Sequence, residues 1–405
     1  MNEKLKWSFF LLLLISTGAH SLNYNFCNLD VFFEKSKEHK NYEINIKNNE
    51  IEEKDNEISL LPSISINSGQ YSSNKSGFND VRKSSIGVSL SQEIYSGGAY
   101  FKNKEKSNLE RKVINANLTS SRSEYLIDIL RYISNYNYLK DQVSIYANKL
   151  ISQEKLMLKH EGMFNNGRIS YFDLSVNKLK VKELEVVIKN LKNEIDLNKK
   201  IFHHKYGLPE SMIEQISLMD ILNCKTQSGY ELLKEKYNHE KNIANLNYEI
   251  TKASLKPSVS LSLSMSPPNE GYIEDLRFSK AHYNVSVNVS TSLSNLLLKN
   301  TSLNKHLLDI QRINIERDDA ISRYEQEVMI IKNEIKKLED EVNYLVDDVK
   351  LKKDKLEYIY ERYLNNKDTI LFYYEQFELY QLAELKLKKK EQDLEYYKAY
   401  LYFIN

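Results

Sequence analysis

The chain has 405 residues, 57 of them basic and 56 acidic, with 41% hydrophobic and 28% charged residues. A formal net charge of +1 excludes both the basic excess of a nucleic-acid-binding protein and the acidic excess of a solvating tail. Beyond the first residues no apolar run reaches the roughly 18 residues of a transmembrane helix, so any crossing of a bilayer has to be made by strands.

Residues 1–21 read as a secretory signal. Lys4 and Lys6 form the basic start, Phe9 to Ile15 the apolar run, and Ala19-His20-Ser21 a small-x-small cleavage site. The other reading is an N-terminal anchor, for which the apolar run is short. Leu29–Leu60 is a charged helical segment with a weak apolar face. Pro62 ends it and opens a strand at 63–71. A polar loop follows, then a second strand at 84–95 with Ile86, Val88, Leu90 and Ile94 against Gly87, Ser89 and Ser91. Ser96-Gly97-Gly98 turns the chain from strand into helix.

From Ala99 to Phe164 there is no proline and a single glycine, and apolar residues recur at spacings of three, four and seven. About 65 residues at ~1.5 Å each make a rod roughly 100 Å long. Asn165-Asn166-Gly167-Arg168 breaks it, and 169–206 returns as the second arm of an antiparallel hairpin. Residues 209–228 form a linker, and 231–255 is the next helix. The third strand, 257–266, alternates Val259, Leu261, Leu263 and Met265 with Ser258, Ser260, Ser262 and Ser264. The fourth, 283–292, alternates Tyr283, Val285, Val287 and Val289 with Asn284, Ser286, Asn288 and Ser290. A second rod at 295–364 breaks at Asn365-Asn366-Lys367-Asp368, and 369–404 returns.

This second half repeats the first. Leu61-Pro62-Ser63-Ile64 is echoed by Lys256-Pro257-Ser258-Val259, 195 residues on; Ile86–Ser91 by Val285–Ser290, 199 on; and Glu161–Asn166 by Glu361–Asn366, 200 on. The chain therefore divides into 22–208 and 229–405, two copies of helix, strand, strand, long helix, helix, joined by the linker. Strands of about nine to twelve residues suit tilted membrane spans, but four cannot close a pore and open edges cannot face lipid. Several chains must share one barrel; three would supply twelve strands, with Ser89, Ser91, Ser260, Ser262, Ser264, Ser286 and Asn288 facing the lumen.

In order, spacing and duplication, the chain resembles the TolC family of outer-membrane channel proteins over about 29–404. The residues that carry the resemblance are Leu61-Pro62-Ser63, Gln92-Glu93-Ile94-Tyr95-Ser96-Gly97-Gly98, and Phe164-Asn165-Asn166-Gly167 with Asp173-Leu174. The resemblance implies a mainly α fold with transmembrane β: four strands per chain in a homotrimeric twelve-stranded barrel, continuous with an α-helical coiled-coil tunnel. It also implies location in the outer membrane with helices reaching into the periplasm. A periplasmic adaptor and an inner-membrane pump are the implied partners, for drug efflux or type I protein secretion, without a cofactor. The adaptor-facing tips would be Asn165, Asn166, Gly167 and Arg168 with Asn365, Asn366, Lys367 and Asp368, where Lys367 stands in place of the family's glycine. Some relatives carry paired acids at a constriction; the matching positions here hold Tyr373 and Gln376, and the nearest acids are Glu375 and Asp173.

Other features carry less. Cys27 and Cys224 stand at equivalent points of the two repeats and either pair, in an oxidising compartment, or stay as two thiols. His203-His204 is a pair of helix neighbours pointing apart, without a clustered ligand partner. Tyr71, Tyr95, Tyr100, Phe101, Tyr272 and Tyr283 lie near strand ends, as an interfacial girdle requires, although 29 tyrosines spread through the chain supply some there by composition alone. No nucleophile has an evident base and orienting acid beside it, so no enzyme is expected. The competing reading is a secreted coiled-coil stalk or adhesin, which explains the rods but not the paired, alternating strands.

Overall fold

A computed structural model describes residues 30–70, 84–216, 228–266, 279–291, 293–365 and 367–404. The signal stretch, Cys27, Cys224, Tyr71, Tyr272 and Asn366 lie outside the described residues. In chain order the elements are α1 (Asp30–Phe33), α2 (Lys37–Ile58), β1 (Ser63–Gln70), β2 (Ser84–Tyr95), α3 (Ala99–Asn165), α4 (Tyr171–Tyr206), α5 (Met212–Gln215), α6 (Gly229–Ala253), β3 (Ser258–Ser266), β4 (His282–Ser290), α7 (Leu293–Leu364) and α8 (Ile370–Ile404). The duplicated order of helix, two strands, long helix and return helix is present, and two rods of 67 and 72 residues each extend on the order of 100 Å.

The expected helix at 29–60 is two. Ser36 interrupts it, its hydroxyl accepting from His39 N–H as the N-cap of α2. The weak apolar face of α2 has a tertiary explanation: polar contacts hold it to α3. Asn49 Nδ2 donates to Ser107 O at 3.1 Å, and Arg111 pairs with Glu53 at 3.0 Å. The linker also differs from a plain connector. Its Met212, Ile213 and Ile216, with Leu208 just before it, are buried in the main core, with Leu126, Ile129, Leu130 and Ile133 of α3, Phe202 and Tyr206 of α4, and Ala399 and Phe403 of α8. This belt lies where α4 and α8 end. On one side of it α2 and α6 accompany the long helices α3 and α7; on the other, α4 and α8 do.

The four strands form one antiparallel meander in the order β1-β2-β3-β4. Each connects to helices at the same end. The turn from β2 into α3 needs glycine: Gly97 has φ +68, and a Cβ there would lie 2.3 Å from the Ala253 carbonyl oxygen, where α6 turns toward β3. The β2–β3 register slips between Glu93 and Tyr95, a bulge at the sheet's helical rim.

Candidate conduit and its helical tips

The register puts every predicted lumen residue on one face. Ser65 pairs with Ser89, Ser89 with Ser264, Ser91 with Ser262, Ser262 with Ser286, and Ser260 with Asn288. Hydroxyls and amides bond across the strands: Ser65 Oγ to Ser89 Oγ at 2.7 Å, Ser258 Oγ to Ser290 Oγ at 2.9 Å, and Asn288 Nδ2 to Ser262 Oγ at 3.1 Å. The opposite face carries Ile64, Ile66, Val88, Leu90, Leu261, Leu263, Val285, Val287 and Val289.

Neither face is covered. No described side chain of the four strands is buried. Ile66 is 73% exposed and Val287 65%, and no helix packs across the sheet. The outer edges of β1 and β4 have no strand beside them among the described residues. A water-soluble sheet would bury its aliphatic face under a second layer; this one presents it whole. Ile94, Tyr95 and Phe101 extend the apolar surface to the start of α3, with Phe101 75% exposed.

At the far end of the rods the first hairpin turns through Asn165–Arg168, all exposed. Gly167 has φ +68, and Arg168 N–H closes the turn on Met163 O at 2.8 Å. Ser170 then caps α4 reciprocally with Asp173, so the Asp173 carboxylate is engaged in holding the helix start. The second tip is built alike but one residue out of the expected register. Lys367 N–H closes on Arg362 O at 2.9 Å and Thr369 caps α8. Lys367 is therefore the counterpart of Arg168, not of Gly167, and the two tips are 199 residues apart. Asn365 and Lys367 are exposed, whereas Asp368 is half-buried in an ion pair with Arg362 at 2.6 Å.

The constriction positions divide. Tyr373 and Gln376 are buried, 8% and 5% exposed. Tyr373 packs between Tyr360 and Phe377, with ring centroids 5.6 and 6.1 Å away. Glu375 is exposed and Asp173 half-buried. His203 and His204 remain at the surface, where the His203 ring N–H donates to Leu208 O at 2.9 Å and secures the start of the linker.

Sequence reasoning missed the most polar part of this end. Gln153 and His160 of α3, Asn177 of α4, Tyr363 of α7 and Tyr374 of α8 form one buried network. Gln153, His160 and Asn177 are at most 1% exposed. Tyr374 OH donates to Asn177 Oδ1 at 2.6 Å, as does Gln153 Nε2; Asn177 Nδ2 lies 3.1 Å from His160 Nδ1, and His160 Nε2 meets the Tyr363 hydroxyl. Three turns above His160 along α3 from the tip, Lys149 is buried with its ammonium over Phe377 and Tyr380. The available signal was the run 149, 153, 156, 160, whose steps of four, three and four mark a coiled-coil seam.

Comparison with solved structures places the whole chain in one fold. It is similar to the outer membrane protein VceC of Vibrio cholerae, with a TM-score of 0.72 and 12% identity over 93% of this chain and 94% of that one. The CmeC outer membrane channel of Campylobacter jejuni gives 0.72 at 13% identity, over 95% and 86%. The open state of the Neisseria gonorrhoeae MtrE outer membrane channel gives 0.66 at 14% identity, over 94% and 90%. No protein-family profile matches the sequence, and no curated protein matches it. The TolC-like arrangement of sheet and helical rods expected from the sequence is thus the fold found.

Proposed function

We propose that this chain, whose fold is that of outer-membrane channels, serves as the outer-membrane exit duct of an export system. The observation that carries the reading is the sheet: one aliphatic face, one hydroxyl and amide face, both uncovered, and two open edges. Lipid outside and water inside satisfy both faces. The edges need a further strand, because an unpaired backbone group in hydrocarbon costs several kcal/mol. The meander leaves β1 and β4 antiparallel, so β4 of one copy continues onto β1 of the next, and three copies close twelve strands.

Below the barrel, three sets of rods wall a tunnel into the periplasm. Substrate is delivered by an inner-membrane pump through a periplasmic adaptor, either for drug efflux or for type I protein secretion. The exposed tip residues Asn165, Asn166, Gly167, Arg168, Asn365 and Lys367 engage the adaptor, together with Asn366, and Asp368 supports its turn. Glu375 and Asp173 supply the carboxylates of a tip constriction, since Tyr373 and Gln376 are occupied inside the subunit. The duct performs no chemistry; differential binding of its partners shifts it between closed and open packings of the hairpins.

Planar-bilayer recording tests this. The purified oligomer is expected to give small or intermittent single-channel currents that grow when the tip contacts are mutated. No current in either form, from protein shown to be inserted, would overturn the reading.

A further inference from the structure

The buried network near the tip fixes which protons it can hold. Asn177 Oδ1 accepts two bonds, from the Tyr374 hydroxyl at 2.6 Å and from Gln153 Nε2. Its amide nitrogen therefore faces His160 Nδ1, 3.1 Å away. An NH2 group donates, so Nδ1 must be the lone-pair nitrogen. Nε2 then carries the ring hydrogen and donates to the Tyr363 oxygen. A second proton, on Nδ1, would set two donors face to face in a site with no exposure to water. Turning the Asn177 amide over by itself does not help, because its NH2 would then oppose the Gln153 NH2; Asn177 Oδ1 could accept from a protonated Nδ1 only if Gln153 turned over with it. With both amides oriented as they are, the arrangement accepts neutral His160 alone, and an unmet donor in such a site is costly.

The same five side chains cross between the two hairpins here, beside an apolar cluster of Leu156 and Val176 with Ile359, Ile370 and Phe377 and the Lys180–Glu378 ion pair at 2.6 Å. Gln153, His160 and Asn177 belong to α3 and α4; Tyr363 and Tyr374 belong to α7 and α8. We propose that His160 is a proton-sensitive latch: a proton on Nδ1 breaks the network as it is oriented here and loosens α7–α8 against α3–α4 at the tip, where the apolar contacts remain. On the duct reading, on which this part of the inference rests, the periplasmic entrance loosens in acid. Among the described residues His160 is the only buried histidine; the apolar belt far up the rods holds the hairpins at their other end.

The charges around His160 do not reverse this. On α3 the neighbouring charge is Lys159, which opposes protonation; on α4 it is Asp173, which favours it. From α7 and α8 the groups that face it are the Tyr363 and Tyr374 hydroxyls, both held neutral because burial raises them. Burial is the largest influence on His160 itself and acts against the charged ring.

The test uses the full-length protein, purified in detergent. Amide hydrogen exchange is followed by mass spectrometry at pH 7.5 and pH 5.5, corrected for intrinsic rates, with peptides from the tip compared with peptides from the belt. Wild-type tip peptides are expected to lose protection in acid by about tenfold relative to the belt, the size of one unmet buried donor. His160→Gln, which keeps a polar partner but does not titrate in this range, should show no such change. Asn177→Asp, which gives the protonated nitrogen an acceptor, should keep the tip protected in acid, and it serves if the glutamine variant does not fold. Bilayer conductance at the two pH values is recorded in parallel. Unchanged wild-type protection at the tip overturns the latch, whatever the currents. Acid loosening that persists in both variants also overturns it. A tip that loosens as expected in an inserted protein without current leaves the latch standing and removes the duct.

Discussion

Lys149 is the clearest case of a residue whose behaviour is set by what surrounds it. It is 5% exposed, its amine makes no hydrogen bond among the described residues, and it lies over the Phe377 and Tyr380 rings, 5.2 and 5.6 Å away. Burial pushes the amine down from 10.5 to about 7, with Glu384 opposing. The unfolded chain keeps this proton up to its ordinary value, whereas the folded chain releases it near 7. Stability from this site therefore rises with pH between about 7 and 10.5, and the full cost of burying the charge is present below 7. Lys149→Met is expected to stabilise the fold by on the order of 2–4 kcal/mol at pH 7 and below, net of the lost ring contacts. The gain should fade toward pH 10.5. Thermal unfolding in detergent, followed by circular dichroism at several pH values, checks both the sign and the trend.

Elements differ in how much of their environment their own sequence contains. In β1–β4 the alternation is complete, so each residue's face could be read before any partner was known. The consequence is testable on adjacent residues of β4. Val287 is on the aliphatic face, 65% exposed, and Ser286 on the hydroxyl face beside Ser262. Val287→Arg places a charge in lipid at about 2–4 kcal/mol near the midplane. Ser286→Arg places the same charge in water. Heat-resistant insertion into vesicles should fail or weaken for the first and persist for the second, with the second shifting conductance toward anions. In α2 the opposite holds: Asn49, Glu53 and Tyr42 bond to α3 through Ser107, Arg111 and Asn115. A helix docked by polar groups leaves little apolar periodicity to find.

At the scale of the molecule the exposed surface is the main fact. Apolar side chains stay uncovered on the sheet and recur on the rods, with Leu179 and Val186 on α4 and Tyr344, Leu351 and Tyr358 on α7 all at least 50% exposed. Patches of that extent on one chain mark surfaces that meet lipid or another protein. The chain is expected to leave membranes only in detergent and to sediment there as a trimer. A detergent-free soluble monomer in the same sedimentation experiment would remove the shared barrel.

Read alone, the sequence determined the strands, their two faces, the rods, the hairpin breaks and the duplication. Each is a local pattern, with period 2 in a strand and steps of three and four in a helix, that needs no knowledge of what packs where. It did not determine that Leu208 and the linker residues Met212 and Ile213 belong to the core, or that Tyr373 and Gln376 turn inward. Nor did it reveal the one-residue offset between the tips or the network joining Gln153, His160, Asn177, Tyr363 and Tyr374. Those depend on which helix covers which face of its neighbour, across separations of up to about 220 residues, and only the packed tertiary structure brings such side chains together.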